Sequence, residues 1–546
     1  MTHGEPTTPA PSDGGSWPLA IAVGVYLAIA ALLVWLGLSM TGRTFVYPQD
    51  DPYIHLAIAR TLAAHGVWGI SPAEFAGASS SLLWTLLLAA LWKAGARTEW
   101  LPLVLNLAAG TCVLLVVDAI LRPRLLPKWR AALLLAIVLV TPLPTLSIIG
   151  MEHTLYIALA VLLAWRLSGV AGGSTSFVWY LDLPLAALLV ATRYEGAFFI
   201  AAAAVMLWIR GRYVHAVALG IAGALPMVLF GAYSVSHGGS ILPNSVLMKS
   251  GPGRFGDISS GFVAVATDWF AILNLFGRPP QLMLTIGTLL ALALSFRDER
   301  EPATRARAFA ILFLAVSALH ACLVKLEWFF RYEAYLMTLG LTAVSLVIAE
   351  RPILPWQHSR RTRNRAATVC VVLLALPLAV RALSALSATP LAMRNVFEQQ
   401  YQLAHFLRRA YPDAAVAVND IGAVSWFSTS HIVDIVGLSN QDVANLKRHR
   451  RFDRQAVEAL IRGSDVKAVA IYEEVFAPII PSTWILVGEW TISDNVAVSE
   501  NTVGFFAPTA DDAIRLEKAL DDYATTLPRA VMYRRRLGGG FGNAMP

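Results

Sequence analysis

Apolar runs of roughly membrane-crossing length recur along the first two-thirds of the chain, separated by short polar or basic stretches. A helix that crosses a bilayer needs about 20 apolar residues. The runs are Trp17 to Met40, Leu101 to Leu121, Ala131 to Ile149, Thr154 to Leu167, Tyr180 to Thr192, Gly196 to Ile209, Val214 to Tyr233, Gln281 to Phe296, Ala308 to Leu326, Ala334 to Ala349 and Ala366 to Leu386. They predict about eleven crossings, several short enough to require tilt or local thinning of the bilayer. Within hydrocarbon every backbone amide and carbonyl must be paired inside the chain, which restricts such segments to helices. Composition agrees: 56% of the 546 residues are hydrophobic and 14% charged, against roughly 25% charged in a soluble domain. The fold class is a polytopic α-helical membrane protein.

The formal charge of +7 is spread over four basic blocks, Arg122 to Arg130, Arg210 to Arg212, Arg297 to Arg307 and Arg351 to Arg365. Short blocks between apolar runs suit membrane orientation, since Lys and Arg loops stay on the cytoplasmic side. They form no concentrated basic surface, so no nucleic-acid partner is expected. With these blocks inside, the amino terminus is cytoplasmic. The segments following Met40, around Glu152 and around Arg193, residues 234 to 280, residues 327 to 333 and everything after about Ser387 are then outside. Ser81 to Lys93 would reach only about 20 Å as a helix against a hydrocarbon core of roughly 30 Å, and is taken as partial or re-entrant. Cys112, Cys322 and Cys370 lie in apolar runs, which argues against a disulfide framework or a cysteine metal site.

Past residue 390, charges return at ordinary density and short β-branched runs alternate with amphipathic stretches. The pattern predicts helices at Val396 to Ala410, Asp453 to Arg462 and Thr509 to Tyr523. It predicts strands at Ala415 to Val418, Ile432 to Val436, Val466 to Tyr472, Trp484 to Val487 and Asn495 to Val498. The expected organisation is a disordered cytoplasmic tail (1–16), a multi-span membrane domain (17–390) with outer loops 41–80 and 234–280, an extracytoplasmic α/β domain (391–530) and a flexible tail (531–546).

Candidate chemistry begins with the adjacent acids Asp50 and Asp51, just beyond the first run. Pro52 suits the first turn of a helix ending near Gly66, which would lie on the outer surface with Asp51, His55 and Arg60 toward one polar side. Carboxylates at a helix amino terminus are favoured in the ionised form a general base needs, although helix capping accounts equally well for one of them. Glu152 opens an apolar run at the outer boundary, where it either orients a hydroxyl or caps its helix. Arg193 and Glu195 interrupt an otherwise apolar stretch, and ionisable groups at such depth pair with one another or face a cavity. Asn244 with Lys249, and Arg331 with Tyr332, offer phosphate contacts; a membrane-boundary belt explains the aromatics beside Arg331 as well. Asn419-Asp420-Ile-Gly422 and Asp434-Ile-Val-Gly437 each follow a predicted strand and read first as turns. No cofactor is required by these motifs, and the acidic loop leaves room for a divalent cation.

Several segments recur in order: Asp50-Asp51-Pro-Tyr-Ile-His55-Leu-Ala-Ile-Ala-Arg60 with Gly77-Ala-Ser-Ser-Ser-Leu-Leu-Trp84, Gly150-Met-Glu-His-Thr-Leu155, Thr192-Arg-Tyr-Glu-Gly196, Pro243-Asn-Ser-Val-Leu-Met-Lys249, Asp420-Ile-Gly422 and Asp434-Ile-Val-Gly-Leu438. The set resembles membrane glycosyltransferases of the GT-C class that use polyprenyl-phosphate sugars, most of all the subgroup of the mycobacterial terminal arabinofuranosyltransferase. The resemblance implies a base carboxylate on the first outer loop, at Asp51 with Asp50 as its partner. It implies a polyprenyl-phosphate sugar donor, a cell-envelope glycan or glycolipid acceptor, contact with membrane lipid, and a bacterial inner membrane with the reaction on the periplasmic side. For the donor phosphate the candidates are Arg193, Lys249 and Arg331; His55 and Glu152 would shape the sugar or acceptor site. A transporter or flippase would use Arg193 and Glu195 as midplane charges and predicts internal repeats, of which none is seen. A polymerase or ligase of lipid-linked glycans would be expected to carry His and Arg in its large outer loop.

Overall fold

A computed structural model of the chain describes residues 15–249, 279–295, 304–324, 329–350 and 360–536. Nearly all of the predicted amino-terminal tail, most of the loop 234–280 and the side chain of Lys249 lie outside the described residues.

The helices begin with α1 (Trp17–Met40), α2 (Asp51–His65), α3 (Leu82–Lys93), α4 (Leu101–Leu121), α5 (Pro127–Val140), α6 (Leu143–Ile149), α7 (His153–Ala171), α8 (Trp179–Thr192), α9 (Gly196–Ile209) and α10 (Tyr213–Ser236). Further helices run over Pro279–Ser295, Arg305–Leu323, Ala334–Glu350 and Arg360–Val396. Six helical stretches among the described residues are long and apolar enough to cross a bilayer, and four apolar helices are shorter. The chain is a multi-pass membrane protein. The predicted run Ala131 to Ile149 is split into α5 and α6 at Thr141-Pro142, because proline has no amide to continue the ladder. α7 is buried over most of its length, whereas α1 and α10 expose Leu32, Trp35, Ile221, Val228 and Leu229, as lipid-facing helices do.

Contacts at the two ends of the bundle settle how the short α3 runs. Ser79, just before α3, bonds His55 of α2, while Trp92 near its end meets Trp426 of the carboxy-terminal domain edge-on. The segment after it returns to the loop that follows α1: the Tyr47 hydroxyl donates to the Glu99 carbonyl at 2.6 Å, and Phe45 stacks on Trp100. So α3 starts and finishes in one layer. At the opposite end Arg130 donates to the Gly15 carbonyl at the start of α1, and Arg305 donates to the Trp165 carbonyl while Arg124 covers the same indole. Two of the basic blocks therefore share the end where the chain enters the bundle.

The carboxy-terminal domain is built on a mixed six-stranded sheet, in the order β2-β1-β3-β5-β4-β6. Its strands are β1 (Ala415–Val418), β2 (His431–Asp434), β3 (Ala468–Tyr472), β4 (Ile485–Thr491), β5 (Thr502–Ala507) and β6 (Met532–Arg535). β1 is parallel to β2 and β3; the remaining pairs are antiparallel. Three sequence expectations fail here. Asn495 to Val498 is not a strand, because the Asn495 side chain accepts the amides of Ala497 and Val498 in a local turn; β5 lies just beyond it. Part of the tail predicted as flexible is β6, paired with β4 over Met532–Arg535. Helix continues through residue 390 without a break: Arg360–Val396 passes Pro390, Met393 packs on Gly37 of α1, and a π-turn at Phe397–Tyr401 leads into the helix Gln402–Ala410.

One short helix, Gly422–Phe427, docks this domain on α2. Its first amides, from Gly422 and Ala423, donate to Asp50 Oδ2 and Oδ1 at 2.5 and 2.7 Å. At its other end the carbonyls of Ser425 and Trp426 accept from Arg60 at 2.8 and 2.9 Å, whose guanidinium also stacks 4.6 Å from the Trp426 ring centre. Amides and carbonyls at helix ends have no partner within the helix, so α2 and the residue before it supply both. Buried apolar residues run without interruption from Tyr47, Tyr53 and Leu56 to Phe406, Trp490 and Phe505, making the first loop and the sheet domain one core. At Gly422 a β-carbon would collide with the Asp50 carbonyl oxygen and carboxylate. Gly422→Ala is expected to weaken docking by about 1–3 kcal/mol, read as earlier melting in detergent and faster protease cleavage between the domains; unchanged melting would show that the contact relaxes without cost.

Candidate active site

Residues 41–50 carry the chain from α1 to α2, and the acids at its end are held rigidly. The Tyr53 hydroxyl accepts the Tyr47 amide, and the Tyr47 ring lies against Gly150, whose φ of +77° and absent side chain suit both the turn and the close approach. This contact brings the segment Met151-Glu152 under the first loop.

The two acids then part company. Asp50 spends both oxygens on the amides of Gly422 and Ala423, so it caps a helix, but one in the other domain. Asp51 turns the opposite way and accepts from Arg331 at 2.9 Å. Arg331 is almost fully buried, also donates to the Met151 sulfur, and lies 5.1 Å from the Tyr332 ring centre. Phe329 and Phe330, immediately before it, have φ of +51° and +61°, which is strained for bulky residues. Arg381 holds this turn by pairing with Glu333 and donating to the Phe330 carbonyl.

A second ion network backs the first. Arg193 donates to Glu152 and Glu195, each at 2.6 Å, and lies 5.5 Å from the Tyr332 ring centre. Glu152 is fully buried, with Oε2 3.9 Å from His55 Nε2; His55 Nδ1 meets Thr85 Oγ1 at 2.9 Å. Asp51, Glu152, Arg193, Glu195, Arg331 and Tyr332, far apart in sequence, thus form one polar layer above the bundle. The sequence expectation of one polar face on α2 is corrected: Asp51, His55 and Arg60 point to Arg331, to Thr85 and Glu152, and to the sheet domain. Pro52 to Ala59 are buried on every side, so no polar face runs along this part of α2 for them to share. Asn244 also serves docking, donating to Gln441 at 3.0 Å. Asp434 proves to be a turn residue, accepting the amides of Val436, Gly437 and Ser439.

Between the polar layer and the sheet domain is a cavity of about 670 Å³, lined by Asp51, Arg331 and Tyr332 on one side and by Asn419, Asp420, Lys447, Phe452, Tyr472 and Phe476 among others on the facing side. Asp420 follows β1. Its Oδ2 accepts from the Tyr472 hydroxyl at 2.6 Å and from Gln400 at 2.9 Å; Gln400 is presented by the π-turn, a common device at functional sites. Lys447 donates to the Val436 carbonyl with its ammonium over Phe452. Sequence reasoning marked Asp420 first as a turn and as part of the motif set, with no role of its own, and Gln400, Lys447, Tyr472 and Arg381 carried no local signal, since they come from separate elements. Among the described residues no group of three or more His, Cys, Asp or Glu is placed to hold a metal ion. A divalent cation at the acidic loop would compete with Arg331 for Asp51.

Burial, with Asp420 nearby, pushes Asp50 up to about 8, against the pull of its two amides. Burial also raises Asp420, with Asp51 adding to the effect and the Tyr472 and Gln400 bonds opposing it.

A family model described as a domain of unknown function (DUF8728) matches residues 393–509. No curated protein matches the chain. Among solved structures, ArnT from Cupriavidus metallidurans bound to undecaprenyl phosphate aligns with a TM-score of 0.50 at 12% identity, over 90% of this chain and 98% of that one. This chain has a GT-C-like fold. The apo state of the same protein gives a TM-score of 0.48 at 12% identity and the same coverage. An Archaeoglobus fulgidus oligosaccharyltransferase in complex with Zn and sulfate gives 0.47 at 13% identity, over 93% of this chain and 77% of that one.

Two outcomes are expected from the charges. Arg193→Met leaves Glu152 buried without its partner and should cost about 3–5 kcal/mol, seen as a lower melting temperature; adding Glu152→Gln should recover part of the loss, and no recovery would refute the pairing. The folded chain holds the Asp50 proton more tightly than the unfolded chain. Its contribution is therefore complete below the ordinary carboxylate range and is lost as pH rises through about 8. Melting temperature should fall between about pH 5 and 9, and Asp50→Asn should flatten part of that fall; a rise over this range would mean that the amides outweigh burial.

Proposed function

We propose that this chain is an inverting glycosyltransferase that moves a sugar from a polyprenyl-phosphate donor to a hydroxyl of a cell-envelope glycan or glycolipid, on the outer face of a bacterial inner membrane. The observation that carries this reading is the cavity in which Asp51 and Arg331, above the membrane helices, face Asp420 on the sheet domain. A lipid-borne phosphate would arrive from the bundle side, where Arg331 waits; an acceptor would arrive through the sheet domain. The grouping of Arg130, Arg124 and Arg305 at the far end of the bundle supports an outward-facing cleft. In the ArnT structure the bound molecule is undecaprenyl phosphate, and a carrier of that chemistry suits the Arg331 side of this site.

The reaction needs three things: a base for the acceptor hydroxyl, cations for the phosphate, and negative charge near the anomeric carbon as positive charge develops there. The acceptor oxygen bonds to the anomeric carbon as the carbon–oxygen bond to phosphate breaks, and the hydroxyl proton passes to Asp51. The phosphate departs as a monoester with one more negative charge than it had in the donor, which its pairing with Arg331 favours. Arg331 cannot serve phosphate and Asp51 equally. When the donor draws the guanidinium away, Asp51 loses a neutralising partner and gains proton affinity, so the base strengthens once the donor is in place. Asp50, bound to two amides, aligns the cleft instead of taking the proton. Arg193 and Glu152 hold Tyr332 and the polar layer in place. Arabinofuranose is the donor sugar suggested by the motif resemblance.

Purified full-length chain should transfer sugar from at least one member of a polyprenyl-phosphate panel that includes arabinofuranose. Asp51→Asn should lower kcat by about 10²–10⁴-fold, and Arg331→Ala should raise the donor KM. No transfer from any donor, or full turnover by Asp51→Asn, would reject the proposal.

A further inference from the structure

Asp420 stands across the cavity from Asp51, on the opposite wall and in the other domain. Its surroundings cost stability: it is half-buried, desolvation and the nearby Asp51 raise its proton affinity, and it in turn raises that of Asp50. Its side-chain partners, the Tyr472 hydroxyl, the Gln400 amide and the Asn419 side chain, all favour its acceptor form, as donors do. An asparagine carbonyl oxygen would accept the same bonds without bringing a third acid to the interface. Structural need therefore gives no reason for a carboxylate here, whereas binding a donor group from a ligand does. A carboxylate has about four acceptor positions, so these bonds leave capacity for a hydroxyl entering from the cavity. The holders are rigid: Asn419 accepts the Tyr472 amide at 3.1 Å, and Gln400 sits in the π-turn between two helices.

Resting on the transferase reading above, we infer that Asp420 binds the acceptor sugar, taking a hydrogen bond from a hydroxyl beside the one that reacts at Asp51, so that the acceptor is a neutral glycan diol. Two acids on facing walls match two hydroxyls of one sugar ring. They repel a phosphate or carboxylate acceptor, leaving the anionic donor group to Arg331. Phe452 and Phe476 line the same side of the cavity and offer apolar faces to the sugar ring.

The test uses full-length chain with the donor found active in the panel and three acceptors: octyl arabinofuranoside, its monodeoxy analogue, and octyl phosphate. Wild type should use the diol, with KM roughly ten- to hundredfold higher for the deoxy compound and no transfer to octyl phosphate. Asp420→Asn should raise the diol KM to the deoxy level, add no further penalty on the deoxy acceptor, keep the donor KM, and keep or raise the melting temperature. Tyr472→Phe, which keeps the carboxylate but frees it to turn, should raise the diol KM by less; it provides the same comparison should Asp420→Asn fail to fold. A diol KM unchanged in both variants, or preferred transfer to octyl phosphate, would overturn the inference. Loss of turnover in Asp51→Asn alone, with Asp420→Asn behaving as wild type, would remove Asp420 from acceptor binding and leave the transferase reading standing. No transfer by wild type from any donor would reject both.

Discussion

The helix Gly422–Phe427 lies along α2 with its amides on Asp50 and its carbonyls on Arg60, and the cleft exists because of that contact. Free helix ends are completed by an acid at the amides and an arginine at the carbonyls. Besides this contact the sheet domain is tied to the bundle by the helix Arg360–Val396 and its π-turn, by the shared apolar core and by the Asn244–Gln441 bond. With the Gly422–Phe427 helix docked, Asp420, only two residues before Gly422, is carried to the face of Asp51. One interaction thus sets both the docking of the domains and the spacing of the acids between them.

Beneath that contact the polar layer obeys a second constraint. Charges at the edge of the hydrocarbon are tolerated when paired, and each of the major ones is: Asp51 with Arg331, Arg193 with Glu152 and Glu195, Arg381 with Glu333. The pairs share partners, and the guanidinium groups of Arg193 and Arg331 are both close to the Tyr332 ring. A ligand phosphate that takes one cation must therefore be answered by rearrangement of its former partner. On the transferase reading, a buried ion pair would in this way couple donor entry to the proton affinity of Asp51.

Much of the membrane part was legible from apolar run length. α1, α4 and α9 begin and end at the residues the runs predict, because leaving hydrocarbon is a sharp boundary with a large cost. The sheet domain was less legible. Asn495 to Val498 and Thr502 to Ala507 look alike as short runs, and the decision between them lies in one asparagine side chain that captures two amides. Helix continuity past Pro390 was hidden too, since it depends on Met393 meeting Gly37 of α1, a contact between residues more than three hundred positions apart in the chain.

The candidate site divides the same way. Its acids and cations could be picked out locally, because ionisable residues at the border of apolar runs are few and each asks for a partner. Which partner each found was decided only in three dimensions. Asp50 and Asp51 are neighbours of the same chemical type, and no local rule separates them; one faces the amides of a distant helix and the other a distant arginine. Asp420, Tyr472 and Gln400 come from a loop, a strand and a π-turn and meet only when the sheet domain folds. Sequence alone determined that this chain crosses a membrane and carries paired acids beside it, since both follow from the cost of taking polar groups out of water. The cleft and the division of labour between the acids belong to tertiary structure, because direction and distance between remote residues are set by packing.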